Sequence, residues 1–172
     1  MFNIDEILPF FFTAMAEGYA SKNPEKSFIK ELPGSKMISY TKGDFKLIDY
    51  WFSSLDDFSC GHTLIYHRDV LHTLGIPVWV MSYHGWYTKE VEPFLKAALR
   101  KAYEDCNFVG GRGPELFSAE EPSSFKDFVY MNEVEKQSNW KNFQGKEQIS
   151  SRSTMRRCGW YKYQGFLLTN TV

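Results

Sequence analysis

The sequence predicts an α+β fold: antiparallel sheet built from two α-β-β-β units in a pseudo-twofold arrangement, with two main helices. Three observations predict it. Two segments with helical spacing each open on a proline. Runs of branched and aromatic residues joined by short turns follow each of them, which argues for antiparallel meanders rather than parallel crossovers. Residue types also recur at matching offsets from the two prolines.

The first helix is predicted over 9–19, where Phe11, Phe12, Met15 and Tyr19 share a face and Pro9 takes the first turn, where its missing N–H costs nothing. Residues 21–35 contain Asn23-Pro24 and Pro33-Gly34 and read as a loop. Strands are expected over 37–41, 44–52, 61–71 and 76–84, with turns at Lys42-Gly43 and 53–59 and a break near Thr73–Gly75. The second helix follows Pro93, with Val91, Leu95, Ala98 and Ala102 as its apolar stripe. Residues 107–124 carry Gly110-Gly111, Gly113-Pro114 and Pro122 and read as a long loop. Three further strands are expected over 125–134, 140–149 and 159–168.

With the prolines as origins, Phe10 matches Phe94, Ala14 matches Ala98 and Tyr19 matches Tyr103. Asp44-Phe45 corresponds to Asp127-Phe128, Gly61 to Gly145, and Tyr83-x-Gly85 to Tyr163-x-Gly165. Residues 1–172 are read as one domain with halves 9–87 and 93–168, and the groove between halves is the expected concave site, rimmed by the 107–124 loop.

Composition narrows the function classes. A formal charge of −1 argues against electrostatically driven nucleic-acid binding. No ~20-residue apolar stretch or signal-peptide pattern is present, so no membrane partner is expected. Cys60, Cys106 and Cys158 form no close pair, which suits a reducing cytoplasm and points to neither a metal nor a redox cofactor. His62, His67, His72 and His84 lack zinc-ligand spacing, and Gly110-Gly111-Arg112-Gly113 is not a phosphate loop. The basic residues Lys146, Arg152, Arg156, Arg157 and Lys162 read as a solvated hairpin. The 30 aromatic residues, 15 Phe, 10 Tyr and 5 Trp, exceed what packing requires and suggest an aromatic-walled pocket.

Strand alternation puts Asp49 on one face with Phe45, Leu47 and Trp51, where a carboxylate must be paired or protonated. Glu133 and Glu147 invite the same argument. The candidate ligand-binding set is Asp49, Trp51, Trp79, Tyr83, His84, Trp86 and Glu147, with Asp49 and Glu147 orienting the ligand. This favours a sensor-like module for a small aromatic or amphipathic molecule. Two alternatives stand beside it: an acid–base hydrolase using paired carboxylates, and a structural or interaction domain, including a homodimer.

Gly43-Asp44-Phe45, Pro77-Val78-Trp79-x-Met81-x-Tyr83-x-Gly85, Phe94-Leu95 with Ala98-Leu99, Phe143-x-Gly145-x-Glu147-x-Ile149 and Tyr163-x-Gly165-Phe166-Leu167 follow one another along the chain. In this order they resemble the bacterial family called domain of unknown function 5680, over nearly the whole length. The resemblance implies that some relatives are fused behind a helix-turn-helix domain. It brings no catalytic residue.

Overall fold

A computed structural model describes residues 3–21, 24–69, 72–120 and 123–169. After a short 3-10 turn comes helix α1 (Ile7–Glu17), then strands β1 (Lys36–Lys42), β2 (Phe45–Ser53), β3 (Phe58–Asp69) and β4 (His72–Tyr87). Helix α2 (Glu92–Glu104) leads into β5 (Leu116–Ser118), β6 (Phe128–Val134), β7 (Asn142–Ser151) and β8 (Arg157–Leu167). The strands form one antiparallel sheet in the order β1-β2-β3-β4-β8-β7-β6-β5. Both helices cover the same face of it. That is the predicted α+β class with an antiparallel sheet and two helices.

Helix α1 buries Ile7, Phe10, Phe11, Phe12, Ala14 and Met15. Phe10 meets Tyr40 of β1 and Phe45 of β2, while Phe11 meets Trp79 of β4 and Tyr103 of α2. On the other side of the molecule, Phe94 of α2 packs against Phe117 of β5 and Phe128 of β6. The predicted stripe Val91, Leu95, Ala98 and Ala102 is wholly buried. At about 1.5–3 kcal/mol per large apolar side chain removed from water, these contacts hold the helices to the sheet.

Three expectations need correction. The second helix is followed by four strands, not three, because Leu116–Ser118 inside the expected 107–124 loop pairs with β6. Three residues on a sheet edge leave too short a pattern to read. The break near Thr73–Gly75 falls inside one strand rather than between two elements: the β3–β4 ladder passes from His67↔Ile76 to Asp69↔His72, leaving residues 73–75 unpaired, and Gly75 has a positive φ of 79°. Leu71 and Val70, where the expected 61–71 strand ends, lie outside the described residues. The polar turn expected over 53–59 is shorter, since β3 already starts at Phe58.

Candidate functional site

Five strands and one loop bring a polar cluster to the helix-covered face. Asp49 on β2 pairs in register with Thr63 on β3, and both point inward. The Thr63 hydroxyl donates to Asp49 Oδ1 at 2.9 Å, and the Tyr83 hydroxyl on β4 donates to the same oxygen at 2.8 Å. Tyr83 reaches Asp49 across Gly61, its partner on β3. A side chain at Gly61 would collide with the Tyr83 hydroxyl and the backbone of Tyr50, so glycine is what lets the ring lie over the strand.

Asp49 is 2% exposed. Burial raises its pKa above the usual carboxylate range, although the Tyr83 and Thr63 hydrogen bonds and the Arg112 charge pull the other way. Tyr83 is held well above the ordinary tyrosine value, first by burial and then by the Asp49 charge. This hydroxyl is therefore a donor in the cluster.

The centre of the cluster is Arg112, only 6% exposed, delivered by the loop between α2 and β5. Its Nε donates to Glu147 Oε1 at 2.9 Å, and the Tyr130 hydroxyl donates to Glu147 Oε2 at 2.7 Å. The guanidinium carbon lies 5.0 Å from the Tyr83 ring centroid and 5.3 Å from that of Tyr161. Burial alone would lower the Arg112 pKa; the Glu147 carboxylate reverses this and holds it well above its ordinary value. A continuous chain thus runs from Asp49 through Tyr83, Arg112 and Glu147 to Tyr130.

The loop can deliver Arg112 because three glycines flank it. Gly110 and Gly111 have φ of 86° and 112°, and a Cβ at either would run into Val134 or the Phe143 ring. Gly113 lies as closely against the Tyr130 hydroxyl. The backbone therefore lies flat on the sheet, anchored by Asn132 Nδ2, which donates to the carbonyls of Val109 and Gly113 at 3.1 Å each. Tyr163 in turn donates to Asn132 Oδ1.

Beside this cluster is a cavity of about 380 Å³, within the usual range for small-molecule sites. Asp49, Trp51, Tyr83, Arg112 and Tyr161 form its polar and aromatic wall, and Met15 and Leu95 of the two helices face them. Ser59, also in the wall, hydrogen-bonds the Tyr161 hydroxyl. Tyr87 lines the same space, and burial, with the nearby Glu147 charge second, holds its hydroxyl well above the ordinary tyrosine pKa.

The seven sequence candidates do not all meet here. Asp49, Trp51 and Tyr83 line the cavity, and Glu147 joins them through Arg112. Trp79 shares their face but is core: it stacks on Phe143 at 5.5 Å, and its Nε1 donates to the Trp140 carbonyl. His84 and Trp86 point to the opposite face, because residues one apart on a strand alternate. His84 lines a separate groove of about 540 Å³ there, with Glu133, Lys146 and Lys162. Arg112 was absent from the candidates; an arginine set among three glycines was the only local sign of it.

Among the described residues, no group of three His, Cys, Asp or Glu side chains could hold a metal ion, and no helix is long and apolar enough to cross a membrane. All three cysteines are free. Fold and site together define an α+β protein with a buried polar cluster beside a partly aromatic cavity. The chain belongs to the family described as Domain of unknown function (DUF5680), whose model matches residues 56–165. The match spans β3 to β8 and includes Thr63, Tyr83, Arg112 and Glu147, while α1 and Asp49 precede it. No curated protein and no solved structure matches the chain.

Proposed function

We propose that the protein binds one small amphipathic, partly aromatic molecule in the cavity beside Arg112, as a sensor-like module rather than an enzyme. The observation that carries this reading is a buried arginine in the wall of a partly open, aromatic-lined cavity, with its Nη donors unpartnered among the described residues. Glu147 takes one of its five donors, and a buried donor left without a partner is costly. The hydrolase alternative needs both carboxylates on one substrate position. Glu147 is 0% exposed and has one oxygen engaged by Arg112 and the other by Tyr130, which disfavours it as a proton carrier.

A repeat of two halves about a pseudo-twofold axis, each now a helix and four strands, supports the same site. Tyr83 pairs with Tyr163 at the centre of the sheet. Stepping outward, Gly61 corresponds to Gly145, and the Asp49–Thr63 pair to the Asn132–Glu147 pair. Phe10 against Tyr40 and Phe45 corresponds to Phe94 against Phe117 and Phe128. The same registers match Trp51 to Val134 and Ser59 to Phe143. In the second half the Val109–Gly113 loop packs against Val134, Phe143 and Asn132. In the first half their counterparts Trp51, Ser59 and Asp49 line the cavity. The loop thus fills in one half the space that a ligand takes in the other.

The test is titration with N-phenyl-1-naphthylamine, an uncharged aromatic fluorophore. One molecule should bind per chain, and Ser59→Phe, which copies Phe143 into the first half, should abolish binding without unfolding the protein. Unchanged binding by this variant, or none by the wild type, overturns the reading.

A further inference from the structure

The chemistry of the cavity wall says more about the occupant, and this step rests on the binding reading above. Arginine carries five N–H donors in a rigid fork. Arg112 uses its Nε–H on Glu147, and among the described residues its four Nη donors have no hydrogen-bond partner. The guanidinium carbon sits over the Tyr83 and Tyr161 rings, whose centroids are 5.9 Å apart, so both rings lie to one side of it and the unpartnered Nη groups are what remains for a ligand. Asp49 Oδ1 accepts from both Thr63 and Tyr83, whereas Oδ2 has no hydrogen-bond partner among the described residues, and Asp49 lines the same cavity.

We propose that the ligand is an organic acid whose carboxylate sits on the Nη edge of Arg112, with its apolar body against Trp51, Met15 and Leu95. A guanidinium edge matches the two oxygens of a carboxylate in plane, and such charge-assisted pairs are the stronger class of hydrogen bond. The exposed part of the cavity lining carries Lys26, Lys36 and Lys89. Of the acids there, Glu92 already pairs with Lys96 at 3.2 Å, leaving Asp57. An approaching anion therefore meets a basic mouth.

The experiment is calorimetric titration of the full chain with three probes sharing one ring system: 1-naphthaleneacetate, 1-naphthaleneacetamide and 2-(1-naphthyl)ethylamine. A fourth, 1-naphthyl phosphate, distinguishes a carboxylate seat from a phosphate seat. The acetate should bind at least about tenfold tighter than the amide, as one charged hydrogen-bonded pair implies, and tighter than the phosphate. The double variant Arg112→Met with Glu147→Gln, which removes both members of the ion pair, should erase the preference while retaining amide binding. Equal affinity for acetate, amide and amine overturns the headgroup assignment but leaves a binding cavity standing. Stronger binding of the phosphate overturns the carboxylate. A preference that survives in the double variant removes Arg112 from the seat, and no binding by any probe overturns the binding reading as well.

Discussion

Arg112 Nε and Glu147 Oε1 lie 2.9 Å apart, with both side chains inside the protein. Taking two charges out of water is costly, so the pair is stable only while both members remain. Replacing one alone, as Arg112→Met or Glu147→Leu, strands the other charge and should cost about 3–5 kcal/mol. Replacing both together should cost much less than the sum of the two. Urea unfolding of the three variants measures this. Additive losses would mean that the two residues are energetically independent.

The Tyr83 hydroxyl donates to a buried carboxyl, so Tyr83→Phe leaves Asp49 with Thr63 as its one remaining donor. The expected loss is about 1–3 kcal/mol for a buried acceptor deprived of a hydrogen bond. In a cycle with Asp49→Leu, which removes the acceptor, the two changes should be non-additive, because they share the hydrogen bond. A Tyr83→Phe variant as stable as wild type would dissociate the hydroxyl from the cluster.

What the sequence made legible follows the range of the physics. Alternation is local, so it placed Asp49 and Glu147 on buried faces without knowledge of any partner. Helical spacing placed the Val91–Ala102 stripe for the same reason. Arg112 was invisible because its burial depends on Val134, Phe143 and Tyr130, which lie 18 to 31 residues further along the chain. His84 and Trp86 were grouped with Tyr83 by proximity along the chain, although alternation sends them to the far face. The strand at Leu116–Ser118 exists only through its pairing with β6, so nothing inside those three residues announces it.

Asp49 should make stability depend on pH. Its folded-state pKa is raised, so the folded chain holds this proton more tightly than the unfolded chain does. The contribution is therefore fully present below the ordinary carboxylate pKa and is lost as pH rises through the raised value. Asp49→Asn removes that dependence. Relative to wild type, the variant should gain stability as pH increases from the ordinary carboxylate range toward neutral, as read from urea midpoints. A difference that stays constant with pH would argue against a raised pKa at Asp49.

Gly111→Ala tests the delivery of Arg112 more directly than substituting the arginine. The φ of 112° is strained for any side chain, and the new methyl would press into the Phe143 ring, which also stacks on Trp79 in the core. Such backbone strain costs of order 1–3 kcal/mol before the steric clash is counted. The loop has two ways to relieve it: lift from the sheet, or push Phe143 into the core. Lifting breaks the Asn132 contacts to Val109 and Gly113 and withdraws the arginine from Glu147. The stranded Glu147 then adds its own penalty, so the total should exceed that of a simple positive-φ substitution. Gly34→Ala, with a φ of 81° in open space, supplies that comparison. If both variants lose equally little in urea unfolding, close packing of the loop is not what holds Arg112 in place. A much larger loss at Gly111, reduced when Glu147→Leu is added, ties the glycine to the position of the buried charge.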